Sequence, residues 1–194
     1  MSETQSGNIL DSLAGAGNSI ADIFINLSSE YGAILDLIFF AFAALGVLIC
    51  ASCFFDIIKF GKSDSLNYSP GASFFWKMIA GASLVDIAFF ASGFTASLWM
   101  YDDPLDMAKY SANSEENYAQ AATMAVLGIM VIAGYVAVGR AYLSISRLGY
   151  LTPEARGGMI GTIAARIIAG SALIASMHIA EVLDQSTGWN WVPG

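Results

Sequence analysis

Charge is what this sequence has least of. Only 12% of its 194 residues are charged, whereas 56% are hydrophobic. An ordinary soluble domain carries about 25% charged residues, so this composition cannot supply a water-facing surface. It predicts a polytopic membrane protein, folded as one membrane domain rather than as several soluble domains.

Positive charge is scarcer still. The chain has 16 acidic residues against 8 Lys and Arg, which gives a net charge of −8. Proteins that wrap nucleic acid need clustered cations on the phosphates, and surface anchors on anionic lipid need them as well. The balance therefore disfavours both classes, and no direct sequence-specific binding of nucleic acid is predicted.

Residues that carry out chemistry are also rare. A single histidine excludes a multi-histidine metal site. Cys50 and Cys53 form a C-x-x-C pair inside an apolar run, without further ligands or an exposed thiolate, so we interpret them as small apolar side chains. No nucleotide-binding, hydrolase or metalloprotease motif occurs. The sequence thus predicts no enzyme, no catalytic residue, no metal and no cofactor, and leaves a bound phospholipid open.

The first 31 residues contain no Lys or Arg, so they lack the basic start of a signal peptide. Apolar residues recur there at helical spacing, interrupted by Gly15 and Gly17. This pattern predicts a short amphipathic or surface helix within residues 1–31.

Four apolar segments follow, at about 33–60, 74–100, 121–146 and 158–183. Each is near or above the ~20 residues that span a bilayer, and each should be helical because lipid offers backbone groups no other partner. The expected organisation is a surface segment, a first hairpin, an acidic link, a second hairpin and a tail, at residues 1–31, 32–100, 101–120, 121–184 and 185–194.

The cations orient these spans. Seven of the eight flank the two short turns, namely Lys59, Lys62, Lys77, Arg140, Arg147, Arg156 and Arg166. The positive-inside rule places both turns in the cytoplasm. The N-terminus, the acidic link and the C-terminal tail are then expected outside.

A repeat relates the two hairpins. The segment KMIAGASL, beginning at Lys77, resembles RIIAGSAL, beginning at Arg166, at an offset of 89 residues. An offset of 88 aligns Gly46 with Gly134 in the preceding helices. The predicted fold is an all-α membrane protein with four transmembrane helices, arranged as two parallel-duplicated hairpins, plus a short N-terminal amphipathic helix.

Four cations are candidate site residues. Lys77 and Arg166 lie about one turn inside their helices, where a bare cation is costly. One hypothesis is that both, together with Lys62 and Arg156, line an assembly or lumen surface or bind lipid phosphates. The alternative is that their long side chains simply reach toward the membrane interface.

Asp86 and His178 are candidate polar residues inside the membrane. An intramembrane carboxylate indicates a functional site by default, and Asp86 lies near the middle of the second span. It serves either as a structural or interfacial group or as an ion- or proton-coupling group. Proton transfer needs a relay, for which His178 is the one histidine available.

Two further patterns concern packing. Asp56 and Lys59 are three residues apart, so they are predicted to pair on one helix face. Gly157 and Gly161 form a G-x-x-x-G pattern, which is typical of closely approaching membrane helices.

Several motifs together resemble a known family. The chain has a glycine-containing first helix, a basic turn with proline, and a second helix that opens on a cation and Ala-Gly-x-x-Leu. These features, with Gly139-Arg140-Ala141-Tyr142, resemble the IcmC/DotE membrane subunits of type IVB secretion systems and their TraQ-like plasmid relatives, over residues 30–185. The acidic link and Asp86 depart from that pattern. Each hairpin is also similar in plan to the major pilins of type IV secretion.

The resemblance implies a structural, pilin-like or conduit subunit of the bacterial inner membrane, with periplasmic termini. It implies copies of the same chain, other secretion-system membrane subunits and phospholipid as partners. It also implies that the chain either stays in the membrane or joins an extracellular filament, with its basic turns toward the lumen. The alternative hypothesis is a small ion- or proton-coupled transporter or channel subunit that uses Asp86.

Overall fold

The computed structural model describes residues 15, 17, 19–60, 70–101 and 118–188. For four residues within these ranges the structure describes the backbone alone, namely Lys59, Phe60, Pro70 and Pro153. The described residues are helical apart from short turns, with no strand among them. This confirms the all-helical prediction. Lys62, nearly all of the acidic link and most of the tail lie outside the described residues.

The described ranges contain seven α-helices and one 3₁₀ turn. The helices are α1 Ser19–Ser28, α2 Tyr31–Phe60, α3 Pro70–Val85, α4 Ile87–Trp99, α5 Tyr118–Ile145, α6 Pro153–Ile174 and α7 Ser176–Thr187, and the 3₁₀ turn is Leu148–Tyr150. Helices α2, α5 and α6 are each long and apolar enough to cross a membrane. The pair α3 and α4 reaches that length only together, and it is bent by 91°.

The bend corrects the prediction of one continuous span at about 74–100. The chain leaves helical geometry at Asp86, whose φ is −124° and ψ is 61°. The Asp86 carboxylate accepts a hydrogen bond of 3.2 Å from the Phe89 backbone N–H and thereby caps α4. Aspartate competes with the helical backbone in this way, so it favours a helix start over a helix interior. The predicted span at 158–183 is likewise divided, at Ala175 between α6 and α7.

The main core joins the two hairpins, and α5 lies at its centre. In the most apolar stretch of each helix, 44% of the α5 positions are buried, against 17% in α2. The core contains residues from α2, α3, α4, α5 and α6, namely Leu35, Phe42, Leu84, Ile87, Ala91, Val131, Tyr135, Val138, Tyr142 and Ile174. The second hairpin therefore packs on the first chiefly through α5.

Each hairpin is held by a close crossing of two glycines. A Cβ atom at Gly46 would lie 2.7 Å from the Gly81 carbonyl oxygen, and a Cβ atom at Gly134 would lie 2.7 Å from the Gly170 carbonyl oxygen. Backbone against backbone is the approach that small residues permit between membrane helices. The G-x-x-x-G glycines at 157 and 161 have nothing within 4 Å of such a Cβ, so they are not the close contact.

The 3₁₀ turn attaches the second hairpin to the first. Gly149 lies against Ser73 of α3, and an added Cβ atom would come within 2.9 Å of both the Ser73 nitrogen and its Cβ. Only glycine leaves the turn this close to the helix. At the other end of the molecule, the Tyr118 hydroxyl donates a 3.0 Å hydrogen bond to Asp22, and Ile25 packs on Ala121, which joins α1 to the start of α5.

Candidate functional site

A polar cluster lies where the turn of the second hairpin meets the first hairpin. The Lys77 ammonium is 2.6 Å from Asp56 Oδ2, and Asp56 is only 6% exposed. The same oxygen accepts hydrogen bonds from the hydroxyls of Ser73 at 3.3 Å and Tyr150 at 3.4 Å. A buried carboxylate is costly unless it is paired and hydrogen-bonded, and here it is both.

This geometry changes the interpretation of two residues. Asp56 was expected to pair with Lys59 on its own helix, and the Lys59 side chain lies outside what the structure describes. The Asp56 carboxylate is bonded to Lys77 on the neighbouring helix. The Lys77 side chain is 12% exposed, and its ammonium lies 4.8 Å from the centre of the Tyr150 ring. A cation over an aromatic face is attracted by the ring quadrupole. Lys77 is therefore directed into the hairpin junction.

Arg166 occupies the matching place in the second hairpin. By the repeat offsets, Arg166 corresponds to Lys77 and Ser144 corresponds to Asp56. Arg166 Nη1 donates a 3.0 Å hydrogen bond to the Ser144 hydroxyl, and Arg166 is exposed. The second hairpin thus keeps the contact between the same two positions, with a hydroxyl in place of the carboxylate.

The remaining predicted cations are not brought to this cluster. Arg156 lies in the first turns of α6, half-buried, and its Nε has no hydrogen-bond partner among the described residues. Lys62 lies outside the described residues. Lys77 is turned inward while Arg166 is exposed, so these two cations do not share one exposed surface. The common surface with Lys62 and Arg156 stays a prediction.

Asp86 is exposed at the break between α3 and α4. Its depth follows from α2, where Asp36 and Asp56 bound an apolar stretch at residues 37–55, roughly 28 Å long at 1.5 Å per residue. Gly46 is midway, and its Cβ would lie 2.8 Å from the Val85 nitrogen. Because Val85 ends α3, Asp86 lies level with the middle of this apolar stretch of α2.

His178 lies on α7 and is half-buried. Its ring stacks on that of Tyr101 just beyond α4, with a centroid separation of 5.3 Å and an interplanar angle of 15°. This contact ties the end of the first hairpin to the last helix. The relay considered between His178 and Asp86 stays a prediction.

The cysteines occupy packing positions. A Cβ atom at Gly81 would meet Cys50 Sγ, and Cys53 is buried with its thiol 3.4 Å from the Ile49 carbonyl oxygen. Among the described residues, no three His, Cys, Asp or Glu side chains come together as a group that could hold a metal. Both thiols are free and serve the close approach of α2 and α3.

An open apolar groove of about 550 Å³ lies between α5, α6 and α7. Leu127, Leu173 and Ile179 are among the residues that line it, one from each helix. Ser176 also faces it, and its hydroxyl is buried without a hydrogen-bond partner in the part of the chain that the structure describes. No motif in the sequence pointed to this groove. The repeat could have indicated it, because α5 covers the corresponding surface of the first hairpin.

The fold defines a class: an all-helical chain with three helices, or four if the bent pair counts as one, that could span a membrane, as in a multi-pass membrane protein. Comparison of the chain with protein-family models, curated proteins and solved structures finds no match.

Proposed function

We propose that this chain is a structural, pilin-like or conduit subunit of a type IV secretion or conjugation apparatus, which assembles through its membrane helices. The observation that carries the proposal is the unburied apolar face of α2. Phe40 is 74% exposed, Leu48 66% and Phe54 65%, although α2 is the first helix of the core. A helix that contributes so little of its apolar surface to its own fold suits contacts with other membrane chains.

The proposal includes a parallel duplication of one hairpin. Three matched features support it: the glycine crossings, the breaks after α3 and α6, and the cation contacts made by Lys77 and Arg166. All of them fall at offsets of 88 or 89 residues, in the same order along the chain. Repeated hairpins of equal orientation suit a subunit that builds a larger assembly from similar units.

The proposed location is the bacterial inner membrane, with both termini in the periplasm, and assembly into an extracellular filament is a further proposed step. The proposed partners are copies of the chain, other membrane subunits of the apparatus and phospholipid. The charge pattern around the two turns supports this orientation. The exposed Arg166 guanidinium is a group that can meet lipid phosphates.

Deletion and purification together test this function. Deleting the gene in the bacterium that encodes it is expected to abolish conjugative DNA transfer or effector export, and a plasmid copy is expected to restore it. Protein purified from that membrane is expected to be oligomeric by native mass spectrometry, with other subunits attached. Normal transfer in the deletion strain, or a chain that is monomeric in lipid nanodiscs, would overturn the proposal.

A second candidate function is an ion- or proton-coupled transporter or channel subunit. The observation that favours it is the 91° break at Asp86, because transporter sites are commonly built from helices broken near the bilayer midplane. Asp86→Asn distinguishes the two functions, since asparagine retains the cap but not the charge. Lost ion uptake with intact assembly would favour the transporter, whereas unaffected uptake and assembly would favour the structural subunit.

A further inference from the structure

The two hairpins meet through different faces. Helix α5 of the second hairpin packs on α3 of the first and, less extensively, on α2 and α4. A two-fold axis would require the reciprocal packing of α2 on α6 and α7, which is not formed to a comparable extent among the described residues. The contact is therefore heterologous, because it uses one face of the first hairpin and a different face of the second. On each hairpin, the face that corresponds to the one used on the other hairpin stays uncovered.

The uncovered face of the second hairpin is the groove between α5, α6 and α7. Its residues correspond through the repeat to the surface that α5 covers on the first hairpin. Leu84 is fully buried there, whereas its counterpart Leu173 is half-buried. Ala80 is also fully buried, whereas its counterpart Ala169 is exposed. The groove thus corresponds to the surface on which α5 packs in the first hairpin, and no described helix packs on it in the second.

The uncovered face of the first hairpin lies on α2, which is the counterpart of α5. Tyr135 and Tyr142 of α5 are buried on the first hairpin. Their counterparts on α2 are Val47 and Phe54, which are 57% and 65% exposed. The chain therefore has an uncovered apolar groove and an exposed helix face on α2. The counterpart of α2, which is α5, already packs on the equivalent surface of the first hairpin.

Side-chain sizes are complementary at one pair of positions along the two faces. Within the chain, a Cβ atom at Gly128 of α5 would lie 2.6 Å from the Tyr31 ring, so a small residue meets a large one. In the repeated contact, Phe40 takes the place of Gly128 and Ala119 takes the place of Tyr31. The large residue then lies on the inserted helix α2 and the small residue on α5, so the pair still contains one large and one small side chain.

We propose that a second copy of this chain lays the exposed face of α2 into the groove between α5, α6 and α7, repeating between chains the packing of α5 on the first hairpin. This deepens the proposed function and rests on its self-assembly. Because the contact is heterologous, each added copy presents a fresh groove, so the product is a closed ring or an open filament rather than a two-fold dimer.

Disulfide trapping tests the contact at one pair of positions. The rings of Phe90 and Tyr142 are 6.3 Å apart within the chain, and their counterparts across the proposed interface are Ile179 and Phe54. In a background carrying Cys50→Ala and Cys53→Ala, the full chain with Phe54→Cys and Ile179→Cys is oxidised with copper phenanthroline in its native membrane. The expected result is a reducible ladder of dimers, trimers and larger species.

Two matched variants accompany it. Phe90→Cys with Tyr142→Cys is expected to close a bond within one chain, detected by loss of maleimide labelling without a ladder. Phe54→Cys with Glu181→Cys places the second thiol on the opposite side of α7, where Glu181 is exposed, and is expected to give no ladder. A ladder that is as strong at position 181 as at position 179 would overturn the assigned face.

A second measurement does not depend on oxidation. Ile179→Trp fills the groove and is expected to remove the oligomer peaks in native mass spectrometry, whereas Val182→Trp, at an exposed site beside it, leaves them. Oligomers that persist in Ile179→Trp overturn this contact and leave the proposed function standing. A wild-type chain that is monomeric overturns both. Labelling of position 179 by a photoreactive phospholipid in place of a ladder assigns the groove to an acyl chain and overturns the inference.

Discussion

The first and second hairpins share a backbone crossing but differ in what surrounds it. In the first hairpin the cation Lys77 is largely covered and paired with the buried Asp56, and Tyr150 from the turn of the second hairpin contacts both. In the second hairpin, Arg166 contacts Ser144 and remains exposed. The difference shows how one framework tolerates two polar solutions: a covered cation requires a counter-charge, whereas an exposed cation does not.

The largest expected effect comes from removing one member of the covered pair. Lys77→Met leaves the Asp56 carboxylate buried without its counter-charge, which is expected to cost about 3–5 kcal/mol of stability. The double variant Asp56→Leu with Lys77→Met is expected to recover most of that loss. Thermal unfolding in detergent micelles measures both.

Arg166→Met is the matched control for that experiment. Arg166 is exposed, so its loss is expected to change stability by at most about 0.5 kcal/mol. Equal losses in Lys77→Met and Arg166→Met would contradict the difference drawn between the two hairpins.

An intermediate effect is expected at the glycine crossings. A Cβ atom at Gly46 or Gly134 would meet the backbone of the facing helix, which cannot yield. Gly46→Ala and Gly134→Ala are therefore each expected to cost about 1–3 kcal/mol, by a similar amount in the two hairpins. Denaturation in mixed micelles gives the two values side by side.

Gly161→Ala is the control on the same kind of surface. Nothing lies within 4 Å of a Cβ atom there, so the change is expected to be neutral or to stabilise α6 by up to about 1 kcal/mol. A loss at Gly161 larger than the loss at Gly134 would mean that the second hairpin is held by a different face of α6.

The smallest expected effect concerns the break after α3. Asp86→Ala removes the carboxylate that caps α4 and is expected to cost about 1 kcal/mol, whereas Asp86→Asn keeps an acceptor and is expected to cost less. The second hairpin breaks at Ala175 with no side-chain cap, so the comparison isolates what the carboxylate adds. The two variants unfolding at the same temperature would show that the cap contributes nothing.

The class of the fold could be predicted from composition because a membrane imposes apolar helices of fixed length. The helical hairpins follow from the same constraint, and α2 and α5 match the predicted spans closely, whereas the span predicted at 158–183 is divided between α6 and α7. The repeat around Gly81 and Gly170 could also be found, since matched small residues mark where two membrane helices approach.

The partners of individual side chains could not be predicted in this way. Spacing along one helix suggested only Lys59, whose side chain is not described, as a partner for Asp56. The bond from Lys77 on the next helix was not predicted, because only the register of the hairpin reveals it. The break at Asp86 was missed for a related reason. The apolar pattern of the sequence continues on both sides of Asp86, so it does not reveal a break. The break depends on the Asp86 carboxylate accepting a hydrogen bond from the backbone of α4, which the pattern does not show.

The contact of Gly149 with Ser73 has a consequence for biogenesis. Translation runs from the N-terminus, so the first hairpin is made before residue 149 exists, and domains generally fold in that order. The turn that carries Gly149 therefore docks on a helix that is made before it, and any side chain at position 149 would obstruct that docking rather than the formation of the first hairpin. Packing of the second hairpin on the first thus depends on a glycine in the later half of the chain.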